Sequence, residues 1–563
     1  MRAARGPAPY QADLPRESFK SLGNKLDYAA IVPNMAVYRW LREHVASVPE
    51  SNEKARETMK RVLCATLLFI VAACVPAQAI QVEEPSGYRV IETFEGGTLL
   101  AADMSYGPVQ IVQLSGTHYD MGRQYGYLLA EQIKDSTAAM LINVVMPYGL
   151  DTNLVKTLAA QVWGDMKPFV PREYLEEIKG IIDGAAQKGV SLNELTLALP
   201  IMVTNISDMN DKESLLKTES GRPWLHGLAF TCSAFAAWGH RTVDGKMIST
   251  RVLDWEAGTG IDKYKILVVY KPVGKNGERL ATYMAAGWIG FIGAIDGMNE
   301  YGITLSEIGS ENKQEKIAGM PWTLMFRQVL ENARSLDDAV GVIQAAENTI
   351  GYNFVVGDGD AENYGKPGWA PGGAAVEENA RHTSVIYAND PIDINAVWID
   401  RDGNPVLVDG APVPYGTPLE NAVLRADVAM SPDIRKTQAA DNGPGEDGSD
   451  GNPLTGGSYR NRHKAQYDAL LALENGGAYA NPYTGEPVFD AAPGARLVDP
   501  MAALHIAKSA AVPDSSVLTI VYAATDLDMY VSWENLTGDV WTPSFDLPYM
   551  KVNLAALANR PGN

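Results

Sequence analysis

The chain has 563 residues, of which 46% are hydrophobic and 20% charged, enough for a large core of ordinary globular composition. A formal net charge of −21 argues against nucleic acid or an anionic membrane surface as a partner and suits an exported soluble protein.

Residues 1–58 show neither clear periodicity nor caps. Met59-Lys60-Arg61 then leads into an apolar run from Val62 to Val75, broken only by Thr66 and followed by Pro76-Ala77-Gln78-Ala79. A basic start, an apolar stretch of this length and an Ala-x-Ala end predict a secretory signal peptide over 59–79, with Met59 as the start and 1–58 as an upstream extension. The run is short for a transmembrane helix, which needs about 20 residues, so no integral span is expected in the mature chain. Val71-Ala72-Ala73-Cys74 offers another reading, a lipoprotein box that would anchor the chain at Cys74, and a buried core helix is the third. Export places the protein in the periplasm or outside the cell.

The cysteines are Cys64, Cys74 and Cys232. Removing a signal that ends at Ala79 leaves Cys232 as the sole thiol. An intramolecular disulfide and a multi-cysteine metal site are then both excluded.

Residues 80–115 read as a strand-rich lead-in ending in Val109-Gln-Ile-Val-Gln-Leu114. The glycine-flanked Gly116-Thr-His118-Tyr-Asp-Met-Gly122-Arg-Gln-Tyr-Gly126 turns into a helix running to about 135. Helices follow at 153–168, at 172–188 and from Ser191, where Ser191-Leu-Asn-Glu194 is a capping box. A polar stretch, Ser207 to Arg222, reads as a surface loop. Two strands then flank Val-Asp244-Gly245-Lys, whose Asp-Gly dipeptide accepts the positive φ angles of a tight hairpin. Further strands are expected at 264–271 and 279–286, with a second hairpin around Gly297-Met-Asn299-Glu-Tyr-Gly302. Helices at 321–333 and from Ser335, strands at 352–357 and 383–389, and a long loop at 360–380 come next. The Gly/Asp-rich 437–457 is another loop; helices at 460–474 and 500–511 and strands at 517–523 and 528–533 complete the reading. Strands, paired helices and strands again predict an α+β fold of stacked sheets between helical layers.

The first hairpin runs from Cys232 to Arg251-Val-Leu-Asp254-Trp255 and folds a cation and a carboxylate back towards the thiol, which outlines a nucleophile site. Blander readings stand beside it. A lone cysteine is often a small buried hydrophobe. Arg251 and Asp254 can form a structural ion pair, and Asn389 can cap a turn. His226, His240 and His382 invite a Cys-His dyad, although His240 lies on the same hairpin and reads as surface. The acidic stretch 441–450 lacks the regular spacing of a calcium loop. Trp224, Trp238, Trp255 and Trp288 line an acyl pocket or fill the core.

This hairpin resembles the nucleophile hairpin of the N-terminal nucleophile (Ntn) hydrolases. The likeness is to the isopenicillin N acyltransferase-like autoproteolytic enzymes and their relatives, the choloylglycine hydrolases and acid ceramidases. Gly116–Gly126, Gly297–Gly302 and Tyr352–Asp358 followed by Ala388-Asn389 are similar to further segments of that family, in its order. The resemblance spans about 110 to 535. It implies a four-layer αββα sandwich, an N-terminal α segment or propeptide at 80–231, and a β segment at 232–563 that stays associated with it after cleavage. It further implies self-cleavage between Thr231 and Cys232, so that the freed α-amine of Cys232 serves as base to its own thiol. Asp254 would orient that amine, and Arg251 would lower the thiol pKa and position substrate. Asn389, with a backbone N–H near Glu307 to Gly309, would hold the oxyanion. Arg460 or Arg462 would be the family's late arginine, and Trp255 would stand near the substrate. The implied activity is hydrolysis or acyl transfer on the linear amide of a small N-acyl substrate through a thioester on Cys232, with no metal or organic cofactor. The family usually has Gly where this chain has Thr231, which alters strain and access at the scissile bond. The rival readings are a phospholipase B-like or ceramidase-like lipid hydrolase and a non-catalytic envelope binding protein of the same fold.

Overall fold

A computed structural model describes residues 80–146, 152–209, 231–398, 404–438, 462–482, 485–511, 515–538 and 540–560. The expected signal peptide with Cys64 and Cys74, the extension before it, His226, Trp224, Arg460 and most of the 437–457 loop lie outside these residues.

Two sheets form the middle of the molecule. Strands β1 (Val82–Glu83), β2 (Tyr88–Phe94), β3 (Gly97–Ala102) and β4 (Val109–Gly116) come first. After them come β5 (Thr231–Ala237), β6 (Ile248–Asp254), β7 (Lys265–Pro272), β8 (Tyr283–Trp288), β9 (Asp296–Asn299) and β10 (Ile303–Gly309). The rest are β11 (Tyr352–Asp358), β12 (Gly372–Glu378), β13 (Thr383–Tyr387), β14 (Ala422–Arg425), β15 (Ser516–Ala523), β16 (Asp528–Trp533) and β17 (Tyr549–Asn553). The seven-stranded sheet runs β1-β17-β16-β15-β6-β5-β14, and the ten-stranded sheet runs β13-β12-β11-β10-β9-β8-β7-β4-β3-β2. Every residue of β6, β10, β11 and β15 is buried, as expected of inner strands covered on both faces.

Helices cover the outer faces. α1 (His118–Leu128), α2 (Ala130–Met140), α3 (Thr152–Met166), α4 (Arg172–Gln187) and α5 (Glu194–Ile206) precede Cys232; α6 (Trp322–Asn332), α7 (Leu336–Ala345), α8 (Arg462–Glu474) and α9 (Pro500–Ala510) follow it. α8 and α9 pack on β5, β6, β14 and β15, whereas α1, α6 and α7 pack on the ten-stranded sheet, and β5, β6 and β14 meet β10, β11 and β12 between the layers. This is the αββα order expected. The residues before Cys232 are not only helical. β2, β3 and β4 extend the ten-stranded sheet through the parallel β4–β7 pair, and β1 closes the other sheet beside β17.

Local chemistry explains most boundaries. Thr117 and Asp120 form a reciprocal capping box at the start of α1. α1 and α4 then cross with backbones touching: a Cβ on Gly122 would lie 2.2 Å from the Glu177 carbonyl oxygen, and one on Gly184 2.2 Å from that of Arg123. Ser335 caps α7 as its sequence predicts. The box expected at Ser191 is not used. Asn193, closer to the helix, accepts the Thr196 N–H and starts α5 at Glu194. Asp244 and Gly245 both take positive φ, 60° and 73°, but they sit within a longer β5–β6 connection of 3-10 turns rather than a two-residue hairpin. The loop expected at 360–380 contains β12, and β14 has no counterpart in the sequence reading.

Candidate active site

Cys232 is the second residue of β5. Its neighbour Thr231 pairs with Asp254 of β6, and Cys232 itself pairs with Leu253, so the Thr231–Cys232 peptide lies inside a ladder. The thiol is wholly buried, and the Arg251 guanidinium acts on it as the nearest favourable charge. Burial pushes the thiol well above its ordinary pKa, and Arg251 offsets only part of that rise. Arg251 in turn donates from Nη2 to Glu307 Oε2 at 3.0 Å, with both side chains buried. Burial pushes the Glu307 carboxyl up to about 7, against the pull of Arg251. Its Oε1, Arg251 Nε and Asn353 Oδ1 are buried atoms without a hydrogen-bond partner.

The nitrogen of Cys232 has a separate set of partners. Its N–H donates to Asp427 Oδ1 at 3.0 Å. Arg462, the first residue of α8, donates from Nη2 to both oxygens of Asp427, at 3.0 and 2.7 Å, and from Nη1 to Asp254. Asp254 also accepts from Ser516 Oγ on β15. Burial alone would lower the Arg462 pKa, but Asp427 and Asp254 overrule it and hold the guanidinium above its ordinary range. Asp254 is thus joined to the Cys232 nitrogen through Arg462 and Asp427.

Asp427 follows β14 on a segment tied down on all sides. Glu377 of β12 accepts the N–H groups of Met430 and Ser431 and the Nε–H of Arg425. Asn353 Nδ2 donates to the Ala426 carbonyl at 2.7 Å, and Gln438 Nε2 donates to that of Asp427 at 2.8 Å. Arg425 divides its charge between Glu377 and Asp393.

Of the residues expected from sequence, Cys232, Arg251, Asp254, Glu307 and Arg462 meet here. Arg460 lies outside the described residues. Trp255 is buried, stacked obliquely 6.3 Å from Trp288, which in turn meets Phe291 at 5.5 Å. Asn389 lies apart from this group. The register Glu307–Phe354–Val376–Val385 runs from β10 to the edge strand β13, and Asn389 sits four residues beyond that level, exposed, in a turn with φ 58°. The buried amide on these strands is Asn353. It lies within the Tyr352–Asp358 segment that carries the resemblance, where spacing alone does not single it out from the Asn of the following turn. Asp427 is a site residue that the sequence reading misses altogether. His240 and His382 are exposed.

Residues 259–387 match the family model for acyl-coenzyme A:6-aminopenicillanic acid acyl-transferase. The matched stretch begins just past Asp254 and includes Glu307 and Asn353. An uncharacterized protein of Archaeoglobus fulgidus is 24% identical over 346 residues, 58% of this chain and 52% of the relative. Protein dcd1B of Dictyostelium discoideum is 22% identical over 295 residues, 48% of this chain and 52% of the relative. The chain therefore spans about half the length of the curated relatives it matches. Among solved structures, the N-acylethanolamine-hydrolyzing acid amidase ortholog of Caenorhabditis elegans has a TM-score of 0.31 at 14% identity, covering 52% of this chain and 93% of its own. A mutant of the conjugated bile acid hydrolase of Clostridium perfringens has a TM-score of 0.31 at 14% identity, covering 59% and 95%.

Proposed function

We propose that the chain is an exported, self-processing amide hydrolase or acyltransferase that cuts its own Thr231–Cys232 bond. It then attacks linear amides of N-acyl substrates through a thioester on Cys232. The observation that carries this reading is that the two reactive atoms of one residue each have charged partners: the thiol has Arg251, and the nitrogen has Asp427 and Arg462.

The chemistry follows from that division. While its nitrogen is an amide, Cys232 has no base of its own, and burial keeps the thiol protonated. Cleavage would create an α-amine, whose reference pKa of about 7.7–8.0 suits it to take the thiol proton near neutrality. The neighbouring ammonium and Arg251 would both favour the thiolate. Water or an amine would then resolve the thioester.

Two features support an oxyanion site. Ser310 N–H donates to the Gly351 carbonyl, so even-numbered residues of β10 bond β11, while Glu307 and Gly309 turn their N–H groups the other way. On that side the β9 ladder ends at Ser306. The amide of Asn353, one strand over, is the buried side-chain donor nearest in register, opposite Ile308. Removing one such donor typically costs about 100-fold or more in rate.

Intact-mass measurement of the purified protein tests the reading. The expected result is two chains, one beginning at Cys232, and turnover within a panel of N-acyl amino acids, acyl-homoserine lactones, penicillins and bile-salt conjugates. A single uncut chain inert to the panel would refute it.

A further inference from the structure

We propose that Asp427 is the positioning carboxylate for the Cys232 nitrogen, holding it first as an amide N–H and, once the bond is cut, as the α-ammonium of a new terminus. This rests on the self-cleavage proposed above. The sequence motif points to Asp254 for this role, but it is Asp427 whose Oδ1 stands 3.0 Å from the nitrogen, whereas Asp254 is committed to Arg462 and Ser516.

The surroundings make the contact specific. The charged groups around the nitrogen are Arg251 and Asp254 from β6, Glu307 from β10, Arg462 from α8, and Asp427 itself beyond β14. β11 contributes Asn353 and the Tyr352 phenol, both neutral in the ordinary pH range. Arg425 on β14 is paired with Glu377 and Asp393, and Lys508 on α9 with Asp546. Arg462 bonds both oxygens of Asp427 and so fixes the carboxylate's plane, leaving Oδ1 aimed at the nitrogen. Glu377, Asn353 and Gln438 hold the segment that carries it.

The cleavage balances around this contact. The thiol sulfur adds to the Thr231 carbonyl carbon, the C–N bond breaks, and the thiol proton passes to nitrogen, giving a thioester and a neutral amine. That amine takes a proton from solvent and becomes an ammonium against Asp427. Water then splits the thioester into the Thr231 carboxyl group and the free thiol. A carboxylate at the nitrogen favours the ammonium product, which draws the acyl shift forward and raises the pKa of the amine. In later turnovers the same bond fixes which way the amine faces the thiol.

The test compares wild type with Asp427→Asn, Asp427→Glu and Asp254→Asn in the full chain. Cleavage is followed by intact mass over time. In the cut fraction, alkylation of Cys232 by iodoacetamide is followed against pH by mass spectrometry of the peptide that begins at Cys232. Asp427→Asn should slow cleavage roughly ten-fold or more and move the alkylation midpoint down by about 1 pH unit. Asp427→Glu, which keeps the charge, should cut and keep the wild-type midpoint, and it carries the test if the Asn variant does not fold. Asp254→Asn, which reaches the nitrogen only through Arg462, should move the midpoint less than Asp427→Asn does. The proposal is overturned if Asp427→Asn cuts at the wild-type rate with an unmoved midpoint, if Asp427→Glu shifts the midpoint, or if Asp254→Asn shifts it as far as Asp427→Asn does. An uncut wild type removes the self-cleavage reading and this proposal with it; a cut wild type with an indifferent Asp427 removes this proposal alone.

Discussion

Arg327 grips Glu177 with two bonds of 2.8 Å, and these residues lie on opposite sides of the Thr231–Cys232 peptide in the chain, Glu177 on α4 and Arg327 on α6. The pair is fully buried and continues into Glu331, which accepts from Tyr283 and Tyr174 and meets His118 Nε2 at 3.0 Å. The segment before Cys232 is therefore locked to the segment after it by charges with no access to water.

Removing one partner leaves the other as an uncompensated buried charge, which typically costs about 3–5 kcal/mol. Arg327→Met should lower the urea midpoint sharply. In cleaved protein it should also separate on size exclusion into two species that co-elute in wild type. A variant that co-elutes at the wild-type midpoint would contradict this account of the clasp.

Cys232→Ala removes the nucleophile and should give one intact mass and no turnover. Cys232→Ser keeps an oxygen nucleophile in the same place and should cut, but slowly. Cleavage of the alanine variant before residue 232 would show that another protease does the cutting.

The glycines of the α1–α4 crossing yield opposite signs from one substitution. Gly→Ala within an exposed helix usually gains about 0.5–1 kcal/mol. At the exposed Gly341 on α7 a Cβ meets nothing within 4 Å, so Gly341→Ala should raise the melting temperature. At Gly122 the same methyl would stand 2.2 Å from a backbone oxygen, and overpacking should outweigh the gain by about 1–3 kcal/mol or more. Differential scanning calorimetry of the two variants checks both signs.

Glu534 gives a pH dependence away from the thiol. It is wholly buried, accepts the Gly258 N–H at 3.0 Å and the Trp541 indole N–H, and burial pushes its carboxyl from an ordinary 4.5 up to about 7. Between those pH values the folded chain keeps a proton that the unfolded chain has released. The contribution is therefore full below about 4.5 and is lost as pH rises through 7, with a ceiling on the order of 3 kcal/mol. Glu534→Gln should remove that slope, making the variant more stable than wild type at pH 8 relative to its standing at pH 4.5. Parallel urea midpoints that keep the same difference at both pH values would rule this out.

The legible parts of the molecule are those where neighbours in sequence are neighbours in space. The Arg251–Asp254 motif faces Cys232 across one hairpin, Ser335 caps its own helix, and the inner strands carry their apolar runs openly. What stays hidden depends on distance. Asp427 sits 195 residues from the nitrogen it accepts, just past a four-residue strand too short to show alternation. β12, Gly372–Glu378, has small residues and two buried glutamates, and the partner of Glu377, Arg425, lies far along the chain. Spacing does not tell Asn389 and Asn353 apart; only the strand register puts Asn353 opposite Ile308 within the sheet and Asn389 past the end of the edge strand.

The pairing of both Thr231 and Cys232 with β6 has one more result under the proposed cleavage. Thr231 is held opposite Asp254 by backbone pairing, so its carbonyl occupies the place any later acyl carbonyl must take. The polypeptide is then its own first substrate and serves as the mould for the ones that follow. The freed Thr231 terminus is a tethered product that must leave its rung before a foreign acyl group can enter. A lag in turnover after cleavage, shortened by deleting the residues just before Cys232, would be the kinetic trace of that departure.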